Sequence, residues 1–368
     1  MLDYKQALPQ THQKDKVDFL KDVAGLANTE GGDILFGVSE KREGGKTTGE
    51  PEAVVGLQGF LADQEIRRLE DTIRTGLKPR LTGVRLQSIQ CPEGPVLHMR
   101  VERSFAGPHM VLHDEERFWG RGAMGNFRLD PDELRRLFQR NADLPERIRR
   151  FRAQRVETIE RVQTPVTFPA GPTLILHVVS VPGFDLQSAL DVRRAVSVQN
   201  SFLPLGWSSS ALGRFNIDGY VNYADVDKNG VCRTYTQLFR NGAIESVLSF
   251  PPASFNSSAT KFFAYDFARL ILEHLPRYLV GLGAADVPPP YVVMVSFLGV
   301  KDLELPGYWS TTTTVDRNTV LVPDLLLNEV PSSYTDELRP VFDAMWQAAG
   351  KAGWPDQEYE KAKKRESR

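Results

Sequence analysis

The sequence predicts an α+β fold in two domains, and three observations carry that reading. Helix-period and strand-period segments mix over the first 140 residues without strict strand–helix–strand alternation. The segment QTPVTFPAGP at 163–172 holds three prolines and interrupts any regular element. Beyond it a second half opens on its own apolar strand, 173–179, and 368 residues is a length for about two domains.

Each element has a local reason. Residues 2–5 (LDYK) read as a short edge strand. Asp15 is placed to cap a helix whose apolar face is Phe19, Leu20, Val23, Ala24 and Ala27, and Asn28 with Gly31-Gly32 stops it. DILFGV at 33–38 reads as a buried strand, and 39–52, polar and glycine-rich, as an exposed loop. A second helix covers 63–75, with Ile66, Leu69 and Ile73 on one face. Strands at 81–90 and 95–103 flank the turn Pro92-Glu93-Gly94, and a short strand at 117–119 precedes GRGAMGN. Asp130 caps a helix through 139, and 144–161 is helical and rich in arginine. After the 173–179 strand, strands and turns fill 207–223. Asp227-Lys228-Asn229-Gly230 makes a hairpin turn with its return strand at 234–239. A long helix covers 259–281, PPPYVVMVSFLGV returns to strand, and 338–349 is a helix before a charged, frayed tail. The domains are therefore 1–140, an arginine-rich helical connector at 141–162, an accessory α/β domain at 168–352, and a tail at 353–368.

Composition excludes several classes. A net charge of -2 removes a histone-like protein held to nucleic acid by bulk charge, though a local basic face remains open. Two cysteines, Cys91 and Cys232, without CxxC partners argue against a disulfide framework or structural zinc and suit a reducing cytoplasm. No apolar run reaches the roughly 20 residues of a membrane span, so no membrane partner is expected.

Two motifs mimic chemistry without completing it. Gly45-Lys46-Thr47 ends like a phosphate-binding loop, but Glu40 stands where the first glycine belongs and no helix follows, so ATP is not expected. Asp225-Val226-Asp227-Lys228-Asn229-Gly230 starts like a calcium loop, but Thr236 occupies its twelfth position. The histidines form no HExxH, and no GxSxG is present.

One constellation is specific. Asp3-Tyr4-Lys5, the string LANTEGGDILFGVSE at 26–40 and the later WGRGAMG at 119–125 resemble the Schlafen/AlbA-type domain over roughly residues 1–140. That family has an E-F/Y-K strand, a helix ending in A-F-A-N-T-x-G-G, a G-x-x-x-I-G-V-x-D/E strand and a downstream arginine segment. The resemblance implies a bacterial nucleic-acid protein, with members that are metal-dependent endonucleases of tRNA or rRNA, DNA-binding modules or parts of antiphage defence. Carried over by position, Asp3 and Glu40 would be the catalytic acids that hold Mg²⁺ or Mn²⁺. Lys5, two residues from Asp3 on the same strand face, would touch the scissile phosphate. A further family glutamate falls before Met1, and Asp3 stands where glutamate is usual.

Arg121, flanked by glycines beside Trp119, is the sharpest phosphate-contact candidate. Arg147 and Arg150 belong to a run at 135–161 that admits two readings, an ion-paired helix or a phosphate-contacting surface. Trp207, Arg214, Phe215, Arg233 and Arg240 of the second domain carry no motif, and substrate positioning, homo-oligomer contact or partner sensing are its expected roles. The function expected is nucleic-acid binding, RNA ahead of DNA, with tRNA-like cleavage as the first reading and non-catalytic regulation as the alternative.

Overall fold

The computed structural model describes residues 1–44, 46–113, 116–123, 125–184, 190–197, 199–250, 264–303 and 314–367. The chain divides into two compact units, Met1–Pro145 and Glu146–Arg368. Among the described residues no helix is long and apolar enough to cross a membrane.

The first unit follows the order β1 (Leu2–Lys5), α1 (Gln13–Asn28), β2 (Gly32–Phe36), β3 (Val38–Glu43), β4 (Lys46–Val54), α2 (Ala62–Gly76), β5 (Leu77–Lys78), β6 (Val84–Cys91), β7 (Gly94–Val101), β8 (Met110–Val111), β9 (Arg117–Gly122) and β10 (Gly125–Arg128). Two sheets, ordered β1-β2-β7-β6 and β10-β9-β8-β5, form it together with the β3–β4 hairpin. β1 is an edge strand, as its position suggests, and runs parallel to β2 with Asp3 opposite Ile34 and Lys5 opposite Phe36. The core gathers Leu20, Val23, Ala24 and Ala27 of α1 with Ile34, Leu97, Met99 and Val101 of the sheet and Leu69 and Ile73 of α2. Burying each leucine or isoleucine stabilises the fold by about 1.5–3 kcal/mol.

The ANTEGG stretch has a mechanical explanation. Asn28 Nδ2 donates to the carbonyls of His109 (2.9 Å) and Trp119 (2.8 Å), while its Oδ1 accepts the His109 amide at 2.6 Å. One buried amide therefore ties the end of α1 to the chain before β8 and to β9. Gly32 is needed for close approach, since a Cβ there would sit 2.5 Å from the Met1 carbonyl oxygen. His109 is buried, with Nδ1 at 2.8 Å from the Pro79 carbonyl and Nε2 at 2.6 Å from Ser104 Oγ. Burial pushes its pKa down, against the raising effect of the Pro79 carbonyl.

Several expectations are corrected. α1 starts at Gln13 with His12 as N-cap, so Asp15 lies in the first turn, where its charge meets the positive end of the helix dipole. The 33–38 strand is split at Gly37 (φ +96°) into β2 and β3. The expected 39–52 loop is instead most of the β3–β4 hairpin. Its described side chains are largely solvated, so no apolar alternation announces it. Lys46 and Thr47 open β4, while Gly45 lies outside the described residues. The helices at 130–139 and 144–161 are one assigned element, α3 (Pro131–Glu160), with Pro145 inside it. Asp130 Oδ1 accepts the Glu133 amide (2.7 Å) and Glu133 Oε2 accepts the Asp130 amide (2.8 Å), a reciprocal capping box.

The second unit contains the C-terminal part of α3, then β11 (Thr173–Ser180), α4 (Val192–Val196), β12 (Leu212–Phe215), β13 (Gly219–Val226), β14 (Cys232–Phe239), β15 (Ile244–Ser249), α5 (Ala264–Ala284), β16 (Tyr291–Leu298), β17 (Thr319–Leu321), β18 (Leu325–Leu327), α6 (Tyr334–Ala348) and α7 (Asp356–Glu366). Among the described residues every strand pairing of this unit is antiparallel, in the order β12-β13-β14-β15-β11-β16, with β17 and β18 both on the far side of β16. Residues 259–263 of the expected long helix lie outside the described residues, and α5 is assigned from Ala264.

All eight residues of β11 are buried, because helices cover both faces of the sheet. Leu174, Leu176 and Val178 pack with Phe267 and Ile271 of α5 and Phe342 of α6. Ile175 faces the opposite layer, with Val156 and Ile159 of α3 and Val247 of β15. The 227–230 hairpin turn forms as expected, with Asp227 Oδ1 accepting the amides of Asn229 and Val231. The C-terminal tail is not frayed. It forms α7, and the Glu366 carboxylate accepts the amides of Tyr334 and Thr335 and the Ser333 hydroxyl, capping α6 from 31 to 33 residues away.

Candidate functional site

Alternation along β1 brings Asp3 and Lys5 to one face, where they meet three side chains from other elements. Arg121 of β9 lies across them, with Nη2 at 2.9 Å from Asp3 Oδ2 and Nη1 donating to Asp22 Oδ1 of α1. Lys5 Nζ is 3.1 Å from Asp22 and 3.4 Å from Asp3. Asn126 of β10 donates to Asp22 Oδ1 at 2.8 Å and accepts from Arg121 at 3.1 Å. The side chains of Asp3, Asp22 and Arg121 are only 11–12% exposed, against 39% for Lys5. Burial alone would lower the Lys5 pKa, but Asp22 and Asp3 outweigh it and hold the ammonium above its ordinary value. Two carboxylates and two cations thus form an internally neutral network, open at Lys5.

Local sequence explains the assembly. Gly120 and Gly122 flank Arg121 in β9, and the β9–β10 register sets Arg121 opposite Asn126 and Trp119 opposite Arg128. Gly25 lets α1 approach this hairpin, since a Cβ there would be 3.1 Å from Asn126 Oδ1 and 3.3 Å from Arg121 Cβ. Beside the network the half-buried Trp119 ring has Lys21 Nζ 4.8 Å from its centroid and the Arg128 guanidinium carbon at 5.7 Å. Aromatic face and flanking cations are therefore held together on one surface.

Of the residues singled out in the sequence, Asp3, Lys5 and Arg121 are brought together. Glu40 is not joined to them by any hydrogen bond or ion pair among the described residues; it lies in β3, and its carboxylate accepts the Gly49 amide at 2.7 Å. No group of three or more His, Cys, Asp or Glu side chains among the described residues is placed to hold a metal ion. Arg147 donates to the Phe184 carbonyl within the second unit, and Arg150 is exposed on α3. Arg161 pairs with Glu157 at 2.6 Å. Sequence reasoning missed Asp22 and Asn126. Asp22 did leave a trace, a carboxylate between apolar Leu20 and the apolar pair Val23 and Ala24 of α1, where it is 8% exposed.

The second unit holds another polar cluster that no motif announced. Glu245 of β15 is fully buried and accepts two hydrogen bonds from Arg155, at 2.7 and 2.9 Å. Tyr235 donates a third at 3.0 Å, and His177 Nε2 lies 3.1 Å away. Burial alone would raise the Glu245 pKa, but hydrogen bonds from Arg155 and His177 hold the carboxyl at about 2. Burial pushes His177 down despite the pull of Glu245, and burial followed by Glu245 pushes the Tyr235 hydroxyl well up. Arg152 is likewise buried, donating to Ser296 Oγ, Asp324 and the carbonyls of Val295 and Val322. Two arginines of the stretch therefore serve packing: Arg152 and Arg155 are interior ligands of the sheet.

Comparison with known proteins bears on the first unit. No curated protein is matched by the chain. Among solved structures, the chain is similar to the DIP2311 protein of Corynebacterium diphtheriae at 15% identity and a TM-score of 0.26, covering 54% of this chain and 32% of that one. It is also similar to the N-terminal domain of a RecG-related protein of Nitrosomonas europaea at 21% identity and a TM-score of 0.23, covering 35% of this chain and 78% of that one. The chain thus spans about a third of the first of these structures. The family model described as Schlafen, AlbA_2 matches residues 1–129, the stretch that builds both sheets and the Asp3–Asp22–Arg121 network. The chain therefore carries a Schlafen AlbA_2-type domain over residues 1–129.

Proposed function

We propose that the N-terminal unit binds nucleic acid through the Trp119 face and, as folded, does not cut it. The observation that carries this reading is the juxtaposition of the half-buried Trp119 ring with Lys21 and Arg128, next to Lys5 at the open edge of the neutral network. An aromatic ring beside cations suits an unpaired base stacked on the ring with its phosphates against the ammonium and guanidinium groups. Single-stranded RNA is the preferred ligand. The Schlafen AlbA_2 family supports the nucleic-acid class.

Metal-dependent cleavage of a tRNA-like substrate, with a place in antiphage defence, is the first expectation from the sequence, and non-catalytic binding is its alternative. The residues present do not fit Mg²⁺ or Mn²⁺. Asp3 and Asp22 are already neutralised by Arg121 and Lys5, and Glu40 caps a hairpin amide. A divalent ion needs carboxylates free to approach it, and would have to displace both cations.

Fluorescence anisotropy of the full chain with labelled single-stranded RNA of about 16 nucleotides, the same DNA sequence and a duplex tests this reading. Single strands should bind more tightly than the duplex. Arg128→Ala should weaken binding and reduce the salt slope by about one. Equal affinity of the wild type and the Arg128→Ala and Lys21→Ala variants would remove the Trp119 face from the function. Cleavage that needs Mg²⁺ or Mn²⁺, stops with EDTA and is lost in Glu40→Ala would overturn the non-catalytic reading.

A further inference from the structure

The second unit contains a groove of about 600 Å³ between α5 and α7, closed at one end by the start of α6. That volume lies within the range of small-molecule sites, roughly 300–1,000 Å³. Leu272 and Pro276 of α5 and Ala362 of α7 line it, and Trp354 lies at its side. Trp354 is wedged between Phe342 and Tyr359, with ring centroids at 4.8 and 5.9 Å, and is 4% exposed. Its indole Nε1 is buried with no hydrogen-bond partner among the described residues. An indole N–H only donates, so a buried one without a partner is satisfied by an acceptor group.

The charges on the groove point the same way. Glu273 pairs with Arg269 at 3.2 Å, and Glu358 with Lys361 at 2.7 Å. Glu366 is committed to the amides that open α6. Arg365 lines the groove from exposed α7 and has no ion-pair partner among the described residues. Beside these pairs the groove presents the Trp354 indole N–H, the Thr335 hydroxyl and the Arg365 guanidinium next to an apolar wall.

We propose that this groove is a binding site for a small organic anion with an apolar, ring-sized body. The body lies against Leu272, Pro276 and Ala362, an acceptor atom meets Trp354 Nε1, and a carboxylate, sulfonate or phosphate group pairs with Arg365. The site uses no residue of the N-terminal unit, so it stands or falls independently of nucleic-acid binding.

The test uses the full chain with 8-anilinonaphthalene-1-sulfonate as the anionic probe and N-phenyl-1-naphthylamine as its uncharged counterpart, followed by fluorescence and by equilibrium dialysis for stoichiometry. The sulfonate should bind at one saturable site, more tightly than the uncharged probe. Arg365→Ala, an exposed change that leaves the core untouched, should weaken the sulfonate about tenfold and leave the uncharged probe unaffected. Trp354→Phe keeps the ring and removes the donor, and should weaken the sulfonate several-fold. Leu272→Trp, filling the groove, should abolish both. Absence of a saturable site, equal binding of the two probes, or sulfonate affinity unchanged in Arg365→Ala and Leu272→Trp with helical content retained would each overturn the assignment.

Discussion

Glu245→Gln gives the sharpest test of how the second unit is held together. In the native fold the carboxylate accepts two bonds from Arg155 and one from Tyr235, with His177 alongside, and no part of it reaches solvent. Holding the carboxyl at about 2 rather than 4.5 corresponds to about 3 kcal/mol of stabilisation of the ionised form, at about 1.4 kcal/mol per pH unit. The amide keeps the volume but removes the charge and turns an N–H₂ towards a guanidinium. Arg155, whose side chain is 18% exposed, then lacks its counter-ion. The expected loss is about 3–5 kcal/mol, the range for breaking a buried pair from one side.

Urea unfolding of the full chain, followed through far-ultraviolet dichroism and through hydrogen exchange in β11 and β15, reads the transition of this unit without assuming that the whole chain melts at once. The pH dependence has a definite sign. The folded pKa of Glu245 lies below its unfolded value, so its contribution is complete above about pH 4.5 and is lost as pH falls towards 2. The wild type should therefore lose stability across that window more steeply than Glu245→Gln. A variant within about 1 kcal/mol of wild type, or one with an identical acid limb, would refute the reasoning.

Three further outcomes are expected. His177→Gln should flatten the loss of stability as pH falls below 6.5, because burial holds the folded imidazole neutral while the unfolded one takes up a proton; parallel curves of midpoint against pH would contradict this. Asn28→Ala removes three buried hydrogen bonds between α1, His109 and Trp119 and should cost about 2–3 kcal/mol, measured as a fall in thermal midpoint; a change below about 0.5 kcal/mol would mean that the bonds are replaced by water. Arg121→Ala leaves Asp3 and Asp22 facing each other with only Lys5 between them. It should destabilise by about 3 kcal/mol, with partial recovery in the double variant carrying Asp22→Asn, and a double-mutant cycle with no coupling would dissolve the network as a unit.

Much of this fold was legible because apolar periodicity reports burial. α2, β11, β16 and the 227–230 turn lie within a few residues of where pattern reading puts them. The β3–β4 hairpin escaped because its described side chains are mostly solvated, so no period of two is written into it. α7 escaped for a related reason. None of its residues is fully buried, and its attachment combines the partly buried Tyr359 and Ala362 with Glu366 reaching the α6 amides and Asp336 meeting Tyr359 and Lys363. At the candidate site, strand alternation pairs Asp3 with Lys5, but nothing local could reveal that Asp22 and Asn126 complete the set. Those contacts span 99 and 104 residues, and a single sequence carries no record of them.

The same long spans have a kinetic consequence. Asp22, Arg121 and Asn126 meet only after α1, the sheets and the β9–β10 hairpin have all taken their places, and closing loops of about 100 residues is entropically costly until other contacts hold them. The network is thus a late-closing latch. Weakening it should leave the refolding rate nearly unchanged and appear almost wholly as faster unfolding. The largely buried electrostatic cluster of the N-terminal unit then sets how long that unit stays folded.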